Sequence, residues 1–263
     1  MLTTYNFRNK NFVWKTSINI TINRNRLLRY PDNNGVPLIS LNPNYVIGKS
    51  LQNTKVYKYA GIDPKTGQYN FTNAKGETGP FTYLTGPVQL DPIKDKYVDV
   101  DPTPKYYAGI DNSFSYKGFT LDFLVFINSR KGLNYYGQQT FSPGVYGLVP
   151  TVQALDRWQK PGDIAKIPKL TQNGLVGLLN QFYFQNSTGA YSSATYARLQ
   201  NVSISYSFSA ARLKKARING LTIYLQGQNL LTISPYKDLD PENMAPGSMG
   251  PYKVYTAGIN ITL

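Results

Sequence analysis

Tyr255-Thr-Ala-Gly-Ile-Asn-Ile-Thr-Leu263 alternates without a break from its first residue to its last. Successive side chains of a strand point to opposite faces, so Tyr255, Ala257, Ile259, Ile261 and Leu263 share one face, and Thr256, Gly258, Asn260 and Thr262 the other. One face is apolar and the other is small and polar. A soluble sheet can alternate in the same way, but a terminal strand of this kind would leave it an apolar edge. A transmembrane barrel gives the pattern a reason: apolar residues meet lipid, polar residues meet the lumen, and the last strand closes the wall.

Five earlier segments repeat the pattern. In residues 11–22, Phe12, Trp14, Ile18, Ile20 and Ile22 oppose Lys15, Ser17, Asn19 and Thr21. In 106–116, Tyr106, Ala108, Ile110, Phe114 and Tyr116 oppose Gly109, Asp111, Ser113 and Ser115. Residues 119–130, 196–208 and 219–230 follow suit, with Ile204 and Ile223 on apolar faces and Ser203 and Ser205 on a polar one. Each run has the roughly 10 residues that a tilted strand needs to cross a bilayer, about twice the ordinary globular strand.

The connections alternate in length. Tyr116-Lys-Gly-Phe119 reads as a tight hairpin and 209–218 as a short turn, whereas 23–105, 131–195 and 231–251 are long and rich in Pro, Gly, Asn and Asp. Short turns at one rim and long loops at the other is how outer-membrane barrels are organised, with the long loops outside the cell. Aromatic residues beside the short turns (Tyr116, Phe119, Tyr206, Phe208) suit an interfacial girdle. Within the long connections, Lys55–Ala60 and Leu133–Tyr136 are candidate strands, and the spacing of Leu175, Leu178, Leu179 and Phe182 predicts a short helix.

Composition narrows the chemistry. The 263 residues carry 28 Lys plus Arg against 14 Asp plus Glu, a net charge of +14. The positive charges are dispersed; the densest group, Arg212, Lys214, Lys215 and Arg217, reads as a solvated turn, and no nucleic-acid partner is expected. With no Cys and no His, disulfides, thiolate sites, His triads and His-ligated zinc are excluded. The 22 Tyr suit membrane interfaces and sugar-binding surfaces alike. Mean hydropathy is −0.36 and no apolar run reaches the ~18 residues of a membrane helix, but half-polar barrel strands would not raise the mean. Met1–Lys10 lacks the parts of an export signal, so the membrane reading predicts that the chain is the rear part of a longer protein.

Several stretches together resemble the SusC/RagA-like TonB-dependent transporters. They are Tyr196-Ala-Arg-Leu-Gln-Asn-Val-Ser-Ile-Ser-Tyr206; Ile223-Tyr-Leu-Gln-Gly-Gln-Asn-Leu-Leu231 followed by Asp240-Pro-Glu242; Asp156-Arg-Trp-Gln-Lys-Pro-Gly-Asp163; Ala60-Gly-Ile-Asp-Pro-Lys-Thr-Gly67; Thr103–Ile110 with the Phe114–Phe119 hairpin; and Trp14 with Asn19. The final strand resembles the C-terminal assembly signal of outer-membrane barrels through Tyr255, Gly258, Ile259, Ile261 and Leu263, with Leu263 where an aromatic residue is usual. The resemblance implies an all-β fold in which residues 1–263 form the C-terminal part of a TonB-dependent receptor β-barrel. This part supplies six to eight strands of an antiparallel transmembrane wall of about 22 strands, with long extracellular loops. The plug domain and earlier strands have no counterpart here. It further implies outer-membrane uptake of glycans or peptides, driven through TonB, under a SusD-like surface lipoprotein. No enzyme activity, cofactor or metal is implied. The alternatives are a secreted β-sandwich that binds carbohydrate and a small self-contained barrel acting as adhesin or porin.

Candidate contact residues lie in two loops: Arg157, Trp158 and Asp163 in one, Tyr236, Asp238, Asp240 and Glu242 in the other. Trp158, Tyr135, Tyr136 and Tyr183 could stack on sugar rings, and the carboxylates could accept from hydroxyls or amines. Asp95, Asp99 and Asp101, like Asp238, Asp240 and Glu242, could reach a calcium ion, but Asp beside Pro is ordinary turn chemistry and neither spacing fits a calcium loop.

Overall fold

The computed structural model describes residues 1–30, 42–81, 87–145, 152–209, 213, 217–237, 239–245 and 247–263, with 152 and 153 described by backbone alone. Arg212, Lys214, Lys215 and Asp238 therefore lie outside the described residues.

Seven strands form one antiparallel sheet: β1 (Leu2–Arg8), β2 (Phe12–Ile22), β3 (Tyr106–Tyr116), β4 (Phe119–Ser129), β5 (Tyr196–Ser207), β6 (Gly220–Ile233) and β7 (Val254–Thr262). Each pairs with its neighbours in this order, and β1 and β7 are the two ends of the sheet. The register aligns like with like. Trp14, Phe114, Leu121, Ile204, Leu225 and Ala257 stand opposite one another in turn across six strands, with Phe7 beside Trp14 on the seventh. The apolar face is open: Ile20 is 61% exposed, Ile204 50% and Ile259 61%. A β-sandwich buries this face against a second sheet, so the soluble alternative does not fit. A self-contained small barrel would pair β1 with β7, which the sheet order does not do.

Sequence pattern missed β1, and a bulge explains why. Register shifts between Tyr5 and Phe7, so Leu2 and Phe7, which are out of phase in the sequence, serve one face. A second shift between Leu199 and Asn201 aligns Leu199 with Val125 and Val202 with Phe123, keeping both on the apolar side. The matching irregularity in β6 falls in Gly227-Gln-Asn-Leu230. There Asn229 takes φ +53°, a left-handed conformation that Asn tolerates, and Leu230 lies where a Cβ on Gly227 would go.

All three short connections lie at one rim. Asn9 closes β1–β2 by accepting from the Asn11 and Phe12 amides at 2.9 and 2.7 Å. Lys117 (φ +46°) and Gly118 (φ +92°) make the two-residue turn of β3–β4, whose backbone twist suits a hairpin. Beside them Phe119 meets Tyr206 at 4.5 Å between ring centroids, and Tyr206 meets Phe208 at 4.8 Å.

The long connections meet at the opposite rim and fold together. Lys58–Ile62, Tyr69–Thr72 and Thr78–Pro80 form one small sheet, Thr54–Val56 pairs with Val98–Val100, and Lys131–Leu133 pairs with Tyr191–Ser193. The strand expected over Lys55–Ala60 is interrupted at Tyr57, whose backbone bonds instead to Asn186 and Thr188. The strand expected over Leu133–Tyr136 is corrected: it ends at Leu133, and Tyr136–Gln138 is a 3-10 turn, because the Asn134 side chain accepts from Gly137 and bends the chain. Tyr57, Tyr69, Phe71, Phe81, Val88, Leu90, Phe184 and Ala190 are the buried cluster of this body. The predicted helix is present as α1 (Gly174–Gln185), capped by Asn173 accepting from Val176 at 3.1 Å. Its buried face is Gly177, Gln181 and Phe184, while Leu175, Leu178 and Phe182 are exposed.

Candidate functional site

The two loops singled out in the sequence are each gripped by another motif. Trp158 lies across Gly67, where a Cβ would come within 2.5 Å of its ring, and its indole N–H donates to the Pro64 carbonyl at 2.9 Å. The Lys169 amide donates to the Gly67 carbonyl at 3.0 Å and the Gly162 amide to the Pro64 carbonyl at 2.8 Å. Thus Asp156–Asp163 docks on Ala60–Gly67. Both turns are closed by carboxylates held below their usual range: Asp63 by the Thr66 hydroxyl and nearby amides, Asp163 by the amides of Lys160 and Gln159. Trp158, half-buried, packs its ring on Gly67. Arg157 and Asp163 line a shallow cleft of about 350 Å³ with Lys166.

The second loop is tied to the wall. Arg198 of β5, 4% exposed, sends its guanidinium to Asp240 at 2.8 Å and to Glu242, while its Nε donates to Thr232 at 2.9 Å. Arg130 donates to the carbonyls of Pro241 and Glu242. The Asp240 carboxylate also accepts from the amides of Glu242 and Asn243. Tyr236 is buried and its hydroxyl donates to the Leu133 carbonyl. These acids therefore already have partners. Sequence spacing gives Arg198 no role, because its carboxylate partners lie 42 and 44 residues downstream. The other acidic group is likewise engaged: Asp95 accepts from the Ala74 and Asp91 amides, Asp99 from Asn53, and Asp101 from Thr103.

One cavity, of about 250 Å³, lies where the three long connections converge. Tyr59 comes from the first, Tyr135, Tyr136, Lys166 and Ser192 from the second, and Lys237 from the third. Of the four candidate stacking residues, Tyr135 and Tyr136 line it. Tyr183 instead packs against Phe81 at 4.1 Å. Burial pushes the Tyr57, Tyr59 and Tyr69 hydroxyls up, so these groups stay neutral.

Four of the expected assembly residues lie on β7, and Leu263 follows directly after its last residue. Tyr255, Ile259, Ile261 and Leu263 are exposed on the apolar face, and Gly258 lies under the Tyr224 ring of β6, which fills the space a side chain would need.

No protein-family model matches the chain. Curated relatives do. TonB-dependent receptor P3 of Formosa agariphila is 23% identical over 252 residues, covering 90% of this chain and 24% of the relative. TonB-dependent receptor P26 of the same organism is 25% identical over 296 residues, covering 99% and 28%. TonB-dependent receptor SusC of Bacteroides thetaiotaomicron is 24% identical over 254 residues, covering 92% and 23%. The chain resembles TonB-dependent receptors of the SusC type. It spans 23–28% of the length of these relatives. The fold agrees: the RagAB peptide transporter structure matches 98% of the chain with a TM-score of 0.72 at 24% identity, and the RagAB peptide importer in the closed-closed state matches with 0.71. Those matches cover 28% of the solved chains.

Proposed function

We propose that this chain forms wall strands and surface loops of an outer-membrane, TonB-dependent transporter that takes up large nutrients, glycans or peptides. The observation that carries the reading is the sheet itself. It has an aligned apolar face left open, a polar face opposite, short turns at one rim and long, folded connections at the other, and it matches a solved transporter over nearly its whole length. Residues 1–263 then act as one barrel segment, and the free edges of β1 and β7 are where the rest of an about 22-stranded wall joins. TonB would be engaged by a part of the receptor that this chain does not span. The folded long connections face the outside and meet both substrate and a SusD-like lipoprotein. The role assigned is transport, with no catalytic group.

Within the loops, the reading separates grip from contact. Trp158, Asp240, Glu242 and Tyr236 hold the surface body together, and Arg157 with the exposed residues around it meets the ligand or the lid. Tyr255, Gly258, Ile259, Ile261 and Leu263 serve assembly into the membrane. The test is uptake by the intact receptor. Deleting the gene should abolish growth on one large nutrient while growth on its monomers is kept, and the receptor should co-purify with a surface lipoprotein. Unimpaired growth on every polymer and peptide tested, with no lipoprotein recovered, would contradict the reading.

A further inference from the structure

We propose that the cavity between the three long connections is a subsite for an acidic sugar ring, a uronate unit of a larger glycan. This rests on the surface placement proposed above and adds the chemical class of ligand.

The first ground is charge. Lys166 and Lys237 line the cavity, both are exposed, and neither makes an ion pair among the described residues. No Asp or Glu lines it among the described residues. Lys166 also borders the cleft that holds Asp156 and Asp163, but neither lysine is ion-paired there, so an anion bound in the hollow that both lysines line would be electrostatically favoured. These 263 residues carry a net charge of +14, so their own contribution to the field favours anions.

The second ground is fixed geometry. Each lysine follows or precedes a buried anchor. Lys166 adjoins Ile167, 4% exposed, whose carbonyl accepts from the Trp158 amide at 3.0 Å. Lys237 adjoins Tyr236, 6% exposed and bonded to the Leu133 carbonyl. Their backbones are therefore set before a ligand arrives, which lowers the cost of binding.

The third ground is the shape and texture of the walls. Tyr135 and Tyr136 meet edge to face at 5.3 Å, and Tyr59 is wedged against Phe184 at 5.5 Å over Gly189, where a Cβ would come within 2.6 Å of its ring. Three tyrosines in one hollow give apolar ring faces beside polar tips. A pyranose has matching parts: a C–H face to lie on a ring and hydroxyls to reach Ser192 and the phenols. The volume of about 250 Å³ is below the usual range for drug-sized ligands, about 300–1,000 Å³, so it suits one ring of a chain rather than a folded segment. An acidic peptide would present a small carboxylate on a flexible stem and leave the aromatic walls unused.

Binding is measured by calorimetry on the intact protein in detergent, with three probes: a hexuronate trisaccharide, a neutral hexose trisaccharide of the same linkage, and an acidic tripeptide. The uronate should bind about tenfold or more tightly than the neutral sugar, the two exposed ion pairs supplying the difference. The preference should shrink with added salt and vanish in the Lys166→Gln/Lys237→Gln double variant, whose exposed sites leave folding intact. Tyr135→Ala should weaken both sugars alike. Equal binding of acidic and neutral sugar, or a preference untouched by the double substitution, would overturn the charge assignment. Tighter binding of the tripeptide would overturn the sugar assignment. Uptake is read separately: uronate binding without growth on any polymer would count against the transport reading alone, and growth on an acidic glycan without this preference would count against the subsite alone.

Discussion

At the scale of single residues, most of the quoted motifs turn out to be halves of contacts. Asn19 accepts from the Gly109 amide at 2.7 Å and fills the space a side chain at 109 would need. Gly258 holds an analogous place under Tyr224. Gly258→Ala should therefore cost about 1–3 kcal/mol through overpacking. Adding Tyr224→Ala should recover most of that loss in equilibrium unfolding from detergent, since the clash leaves with the ring. Additive losses would mean that Gly258 matters for another reason. Arg198 is the more demanding case. Its guanidinium serves two carboxylates and Thr232 from a nearly dry position. Arg198→Ala leaves Asp240 without its charge partner and should destabilise by about 3–5 kcal/mol. Arg198→Lys should recover little, because an ammonium lacks the planar fork that reaches two carboxylates at once. A near-neutral Lys variant in the same assay would refute that geometry.

At the scale of elements, the docking of Asp156–Asp163 on Ala60–Gly67 carries a pH dependence. Asp63 and Asp163 both have folded pKa values below the ordinary carboxylate value of about 3.9. A lowered folded value means stabilisation that is fully present above the ordinary value and lost as pH falls through the folded one. The contact should therefore hold unchanged from neutral pH to about pH 4 and loosen below that. Trp158 emission, taken as the difference between the intact receptor and its Trp158→Phe variant, reads it, because the indole loses its bond to Pro64. A transition centred near pH 6 would show that other groups control the loop. The helix α1 teaches a different point. Its spacing was legible in Leu175, Leu178 and Phe182, yet Gly177, Gln181 and Phe184 face the core. Periodicity reports that a helix forms; which side is buried depends on tertiary neighbours, here Tyr59, Tyr69 and Val145.

At the scale of the whole molecule, the wall was legible because β-strand alternation is a local signal and the register merely aligns it. Six of the seven strands were readable to within a few residues, and the seventh, Leu2–Arg8, was hidden by its bulge. The loop body was far less legible. Its cavity draws Tyr59, Tyr136 and Lys237 from segments that no spacing rule relates, and the Arg198–Asp240 pair spans 42 residues. Sequence order carries no trace of such meetings, so the gripping role of Trp158, Asp240 and Glu242 emerged only in three dimensions.

The central claim is that one face of the sheet meets lipid and the other water. These 263 residues have no cysteine, so single Cys substitutions carrying a spin label, made in a receptor whose remaining cysteines are replaced, give clean positions along β5, β6 and β7. Labels at 202–205, 223–226 and 257–260, in the intact protein reconstituted in bilayers, are tested for collision with oxygen, which concentrates in lipid, and with a water-soluble nickel chelate. Oxygen accessibility should peak at Val202, Ile204, Ile223, Leu225, Ala257 and Ile259 and dip at the residues between them, with the chelate following the opposite phase. Chelate accessibility at Ile204, Ile223 and Ile259 equal to that at Ser203, Tyr224 and Asn260 would contradict the membrane wall.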